Sequence, residues 1–185
     1  MASLVVIRHA ESPWSPDEMR SLSASGRAAA EELVEPLAAL GLSAIYSSPY
    51  RRAIETVEPL ASCLDLSIHE VEDLRERTLG SIADTPFEQA VAATFADFGF
   101  RFPGGESSRG AQQRAVRAID RIMEANGNDR VALATHGNLM SLYLNALCAE
   151  VGFEFWRALT FPDVFQIFQA TTGEWKFERI AWDAT

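Results

Sequence analysis

Three reactive groups in this chain each follow a short apolar run, and their types suit chemistry on an anion. Leu4-Val5-Val6-Ile7 breaks sharply to Arg8-His9, and Ala44-Ile45-Tyr46-Ser47 leads on to Arg51-Arg52. Val131-Ala132-Leu133-Ala134-Thr135 ends in His136-Gly137-Asn138. A permanent guanidinium beside a neutral imidazole suits an oxyanion that must be both held and attacked. Arg51 and Arg52 fall in the first turn of the helix expected after Ser48-Pro49, where the dipole disfavours cations by about 0.3–1 kcal/mol each. An anion seated at that helix terminus would account for at least one of them. The plainer alternatives are a surface Arg-His pair, arginines turned to solvent and paired with Glu55, and a structural His136. Two histidines with several arginines allow nucleophilic attack on phosphorus. The imidazole attacks in line, the guanidiniums hold the equatorial oxygens, and adjacent cations keep the imidazole unprotonated. The leaving alcohol then needs a proton, and Glu76, in the charged turn 73–80, is the candidate donor.

A parallel sheet is what could bring these groups together. Four aliphatic residues bounded by polar ones read as a strand buried on both faces. Strands are expected at 4–7, 44–47, 67–71 and 131–135, the third of them nearer an edge, where His69 would sit. Their C-terminal ends share one rim, where open α/β sheets bind ligands. Segments 164–170 and 175–182 read as a closing hairpin across Thr172-Gly173-Glu174. Ser23 caps a helix running to about Leu40, interrupted by Pro36 and stopped by Gly41. A second helix follows Ser48-Pro49 to about Leu64. Thr85-Pro86-Phe87-Glu88 reads as a capping box opening a third, to about Phe98. Further helices are expected over 106–126 and 139–147. Residues 78–105 read as a lid or short insert, and 1–185 as a single domain. Arg114, Arg117 and Arg121 read as a solvated face. Arg75, Arg77, Arg101 and Arg109 could meet a second anionic group of a substrate or simply lie on the surface.

Composition narrows the function classes. The 185-residue chain carries 16 basic and 26 acidic side chains, a formal net charge of −10. Such a surface repels nucleic acid and anionic membranes, so anion chemistry belongs in a local arginine pocket. Lys176 is the only lysine, and arginine is the side chain for fixed, forked recognition of oxyanions. No apolar run approaches the ~20 residues that span a bilayer, and no secretory leader is visible, so a cytoplasmic protein is expected. Cys63 and Cys148 lie in apolar helical contexts and read as buried free thiols. Two histidines and a glutamate could ligate zinc, but the surrounding arginines would repel the ion. No Gly-x-Ser-x-Gly elbow and no glycine-rich phosphate loop is present.

The order of these motifs resembles the histidine phosphatase superfamily, also called phosphoglycerate-mutase-like. Arg8-His9-Ala10-Glu11-Ser12 is similar to its Arg-His-Gly-Glu-Ser signature. The resemblance continues through Leu22-Ser23 with Gly26, residues 47–53, Leu74-Arg75-Glu76, Pro103-Gly104-Gly105-Glu106-Ser107 and Thr135-His136-Gly137-Asn138. It implies a three-layer αβα sandwich with a mostly parallel sheet and a metal-independent phosphatase without cofactor, acting on a small phosphorylated metabolite. His9 would become phosphohistidine, with Arg8, Arg52 and His136 clamping the phosphoryl group and Glu76 serving as acid, then base. Ser15, standing where many members have a phosphate-contacting asparagine, and Asn138 would contact the substrate. Ala10 in place of the usual glycine would add a methyl near the phosphate. The short 12–22 loop, the short 78–105 segment and Ser81-Ile82-Ala83 in place of Trp-Glu-Gly argue against a mutase. Mutase-type phosphoryl transfer, an idle phosphate-binding module and a phosphoprotein phosphatase are the alternatives.

Overall fold

Leu4, Val5, Val6 and Ile7 bury alternately on the two faces of one sheet, which is why four consecutive apolar residues are needed there. The structure, a computed structural model, describes residues 3–182. Its strands are Ser3–Arg8 (β1), Ala44–Ser47 (β2), Ile68–Glu70 (β3), Arg130–Thr135 (β4), Asp163–Gln169 (β5) and Trp175–Arg179 (β6). Its α-helices are Ala24–Glu32 (α1), Val34–Ala38 (α2), Arg51–Leu64 (α3), Phe87–Ala96 (α4), Ser108–Asn126 (α5), Gly137–Leu147 (α6) and Phe153–Arg157 (α7). The sheet order is β3-β2-β4-β1-β5-β6. The pairs β1·β4, β4·β2 and β2·β3 are parallel, while β5 runs antiparallel to both β1 and β6.

Each face of the sheet has its own core. Leu4, Val6, Val131 and Leu133 meet Ala115 and Ile119 of α5 and Leu139 and Leu142 of α6. Val5, Ile7, Ala132 and Ala134 meet Leu33 and Leu37, with Val57 and Leu60 of α3. This is the expected three-layer αβα sandwich. The parallel register sets Arg8 opposite Thr135, so β1 and β4 deliver Arg8-His9 and His136 at one rim.

Local departures have local causes. Ser23 caps α1 through Gly26 N, but the helix breaks at Leu33 because Pro36 has no N–H to offer Glu32. The next helix starts at Arg51, not Pro49, because Ser48 spends its hydroxyl on Tyr50 N and on His136. Thr85 makes no cap; α4 starts at Phe87 after Pro86 without a side-chain cap. The thiols are not buried as expected: Cys63 is exposed in the last turn of α3, and Cys148 is half-buried. Arg114 is buried, whereas Arg117 and Arg121 do face solvent. His69 sits exposed on edge strand β3, its ring centroid 5.2 Å from that of Tyr46.

The 78–105 segment is clasped at its base. Glu106 N donates to Thr78 O at 2.8 Å, and Ser81 N donates to Pro103 O at 2.9 Å. Gly80, at φ +84°, lies so close to the returning chain that a Cβ would stand 2.5 Å from Gly105 N. Only glycine satisfies both the left-handed backbone and the close approach.

Leu133 is fully buried in the core under α5 and α6. Leu133→Ala is expected to lower the unfolding free energy by about 2–5 kcal/mol, read by urea titration as a lower midpoint at unchanged slope.

Candidate active site

His9 is held in one tautomer. Its backbone N–H continues the ladder by donating to Thr135 O, placing the ring at the strand end. Nδ1 lies 2.7 Å from Ala10 O, an acceptor only, so Nδ1 carries the hydrogen and Nε2 presents a lone pair. Arg52 Nε donates to that Nε2 at 3.2 Å. The His9–Ala10 peptide is tied to α3, since Ala10 N donates to Thr56 Oγ1, which donates to Arg52 O. Burial, followed by the charges of Arg52, Arg8 and Arg20, pushes the His9 imidazole down to about 3. The Ala10 carbonyl opposes this without reversing it.

His136 lies beside it, with ring centroids 5.2 Å apart and the planes at 64°. It is completely buried under the cleft floor, and desolvation with the neighbouring cations holds it well below the ordinary imidazole range. Ser48 Oγ accepts from Tyr50 N and lies 2.7 Å from His136 Nε2, the acceptor available for its own hydrogen. The His136 proton then falls on Nδ1, a buried nitrogen without a hydrogen-bond partner.

The guanidiniums are anchored to backbone carbonyls. Arg8 donates to Leu159 O and Thr160 O, and its Cζ stands 3.4 Å from the centre of the Phe161 ring. Its Nε is unpartnered, and a Cβ on Gly137 would meet that Nε at 3.0 Å, so glycine keeps the α6 terminus pressed against the arginine. Arg52 donates to Glu18 O at 2.9 Å. Burial lowers Arg8 and Arg52 each to about 10. Arg51, in contrast, points outward and pairs with Glu55 at 2.9 Å.

Glu76 rests on the N-terminus of α6. Its Oε1 accepts from Leu139 N and Arg77 N, and its Oε2 from Asn138 N, at 2.9–3.1 Å. The backbone that carries it is gripped from α5. Buried Arg114 forks onto both Glu106 oxygens at 2.8 Å and donates to the carbonyls of Asp73, Arg75 and Glu76. The position expected to be a solvated face is therefore an internal clamp.

Arg8, His9, Arg52, Glu76, Gly137 and Asn138 line a cleft of about 580 Å³, together with Arg20, Arg77, Glu18, Tyr50 and several aromatic side chains. Asn138 Oδ1 is unpartnered there. Ser15 is not in the lining; its hydroxyl accepts from Asp17 N and its carbonyl from Arg20, so it shapes its own turn instead. Ala10 turns its methyl into a small core with Leu22 and Ala30, not toward the cleft. Arg75, Arg101 and Arg109 are also outside the lining. Arg20, Tyr50, Ser48 and Thr56 were not anticipated from sequence. The Ser-Ser-Pro-Tyr run was the available signal for Ser48 and Tyr50.

An open parallel sheet with imidazoles and guanidiniums crowded at one rim defines an anion-handling α/β protein. The chain belongs to the histidine phosphatase superfamily (branch 1), whose description matches residues 4–183. It is 31% identical over 163 residues to phosphoglycerate mutase-like protein 4 of Arabidopsis thaliana, covering 78% of this chain and 71% of that one. It is 26% identical over 170 residues to phosphoserine phosphatase 1 of Hydrogenobacter thermophilus, covering 84% of this chain and 81% of the relative. A mycobacterial glucosyl-3-phosphoglycerate phosphatase, solved with inorganic phosphate, shares the fold at a TM-score of 0.76 and 24% identity, over 99% of this chain and 97% of its own. No helix among the described residues is long and apolar enough to cross a membrane.

Both buried imidazoles are neutral in the fold but titrate near 6.5 in the unfolded chain. Between pH 6.5 and about 3 the unfolded chain therefore binds protons that folded His9 refuses, and this part of the stability is lost as pH falls. NMR of the imidazole Cε1–H signals in phosphate-free buffer is expected to show His9 neutral at pH 5. A His9 signal that titrates near 6.5 would contradict the buried geometry.

Proposed function

We propose that the chain is a metal-independent phosphatase that hydrolyses a small phosphomonoester through a phosphohistidine on His9. One observation carries this reading: the lone pair of His9 Nε2 is fixed by the Nδ1–Ala10 bond, beside cations that a phosphoryl group would satisfy. The relatives named as phosphatases, including the phosphoserine phosphatase of Hydrogenobacter thermophilus, support the activity class.

In the first step His9 Nε2 attacks phosphorus in line, and the bond to the ester oxygen breaks. Arg8 and Arg52 hold the equatorial oxygens, Arg52 turning from the imidazole to the phosphoryl group, and His136 supplies a hydrogen bond through Nδ1. Glu76 in its protonated form gives its hydrogen to the departing alkoxide, which leaves as the alcohol. In the second step Glu76, now a carboxylate, takes a proton from the water that attacks phosphohistidine. The P–N bond breaks, phosphate is released, and both groups return to their starting state. The α6 N-terminus and Asn138 adjoin Glu76, so they serve the same half of the cleft.

The test is phosphate release from p-nitrophenyl phosphate and from an alkyl phosphate, with EDTA present. His9→Ala is expected to lower both rates by about 10³-fold or more and to abolish an acid-labile phosphoenzyme. Glu76→Gln is expected to slow the alkyl ester by about 10²–10⁴-fold. In the first step it should affect p-nitrophenyl phosphate far less, read as a retained burst of p-nitrophenolate, since that group leaves without a proton, while the later hydrolysis of phosphohistidine slows for both esters. Equal rates for wild type and His9→Ala would falsify the mechanism. Transfer of phosphate between positions of a phosphoglycerate, without release, would assign the mutase activity instead. Tight phosphate binding with no turnover of any ester would make the chain a binding module.

A further inference from the structure

The cleft changes character from floor to mouth. Its floor is the cationic set around His9, whereas its mouth is Trp14, Phe87, Trp156 and Phe161. Three of these are among the large apolar side chains that the fold leaves open to water: Trp14 is 85% exposed, Phe87 57% and Phe161 46%. They come from four separate parts of the chain: the loop after β1, the start of α4, α7 and the loop before β5. Phe161 reaches inward, its ring centroid 5.4 Å from that of His9 and over Arg8, while Phe87 meets Trp156 at 6.0 Å. Apolar rings brought from four segments to one opening mark a surface that a ligand covers.

Charge in the same cleft defines what that ligand carries. Four arginines (Arg8, Arg20, Arg52, Arg77) and two glutamates (Glu18, Glu76) line it, an excess of two positive charges. A phosphomonoester dianion takes up two of these charges; in the first chemical step, with Glu76 carrying its proton, one positive charge is left over at the floor. Arg77, next to Glu76 in the chain, is buried, donates to Ser108 Oγ and feels the charges of both Glu76 and Glu106. Glu18 stands on the wall next to Tyr50, where its carboxylate would repel another carboxylate.

We infer that the aromatic mouth is a subsite for the alcohol half of the substrate, and that it takes phosphomonoesters of an uncharged alcohol bearing an aromatic ring. The inference rests on the phosphatase reading for the placement of the phosphate, and it adds the identity of what the phosphate is attached to. Trp14, Phe87 and Trp156 stack on the ring, and Phe161 bridges it to the phosphoryl floor. An edge-to-face or offset contact to such rings adds to the burial of the ligand's own apolar area.

The experiment is calorimetric binding of three phosphonates that cannot be hydrolysed: methylphosphonate, benzylphosphonate and 3-phosphonopropionate. Benzylphosphonate is expected to bind about tenfold or more tightly than methylphosphonate. 3-Phosphonopropionate, with its added carboxylate, should bind no more tightly than methylphosphonate. Trp14→Ala and Phe87→Ala, both at exposed positions that the fold does not need, are each expected to shrink the benzyl preference severalfold. Equal affinity for methyl- and benzylphosphonate, or tighter binding of 3-phosphonopropionate than of benzylphosphonate, overturns the inference. Turnover of p-nitrophenyl phosphate measured on the same samples separates the two claims. Its loss together with all phosphonate binding removes the phosphatase reading as well, whereas its persistence with no benzyl preference removes the aromatic subsite alone.

Discussion

Positive charge gathered out of water is the constraint on which this structure turns. Arg8, Arg52 and Arg77 are buried, and all three line one cleft with Arg20. Desolvating such groups is unfavourable unless something answers them. Here the answer comes mostly from neutral acceptors: the carbonyls of Leu159, Thr160, Glu18, Ser15 and Asp17, and the hydroxyl of Ser108. A carbonyl dipole eases the burial of a guanidinium without cancelling its charge. The arginines that only build the fold are treated differently, since Arg114 has Glu106 and Arg51 has Glu55. The pairing pattern thus separates cations kept for an anion from cations already neutralised.

The scaffold serves that arrangement through a few fixed points. The β1·β4 register sets Arg8 against Thr135, and the His9 N–H bond to Thr135 O carries the pairing one residue past the strand. Ser48 N does the same against Ala134 O from β2. Three strand ends are therefore tied to one another before any side chain meets, and the imidazoles inherit their 5.2 Å spacing from this backbone. The glycine at 137 lets the α6 terminus close on Arg8, so the same turn also reaches Glu76 through Asn138 N and Leu139 N.

Strand positions and the two-faced core were legible because buried parallel strands leave uninterrupted apolar runs, and each run here ended in a reactive residue. The expected meeting of His9 with His136 and of Arg52 with His9 is present. Other features were hidden for identifiable reasons. Arg114 looked like one of three arginines on a helix face, and only the tertiary fold shows that its stretch faces the Glu76 turn while Arg117 and Arg121 do not. Ser15 was placed by analogy with an asparagine, but the short loop uses its hydroxyl to close a local turn. The methyl of Ala10 points into the core because Thr56 has already turned the Ala10 peptide. Cys63 sits in an apolar stretch, yet helical rotation carries it to the outside. Sequence periodicity reports which residues share a face; it does not report which neighbour arrives there.

The grip of Arg114 on the carbonyls of Asp73, Arg75 and Glu76 makes the geometry of the Glu76 turn a property of a distant helix. Any substitution that rotates or slides α5 by a fraction of an ångström is transmitted to Glu76 without altering a single cleft residue. Two homologues with identical cleft inventories can therefore differ in how they present this carboxylate to the cleft. An engineer seeking to move that carboxylate has a handle outside the cleft, in the seating of one helix.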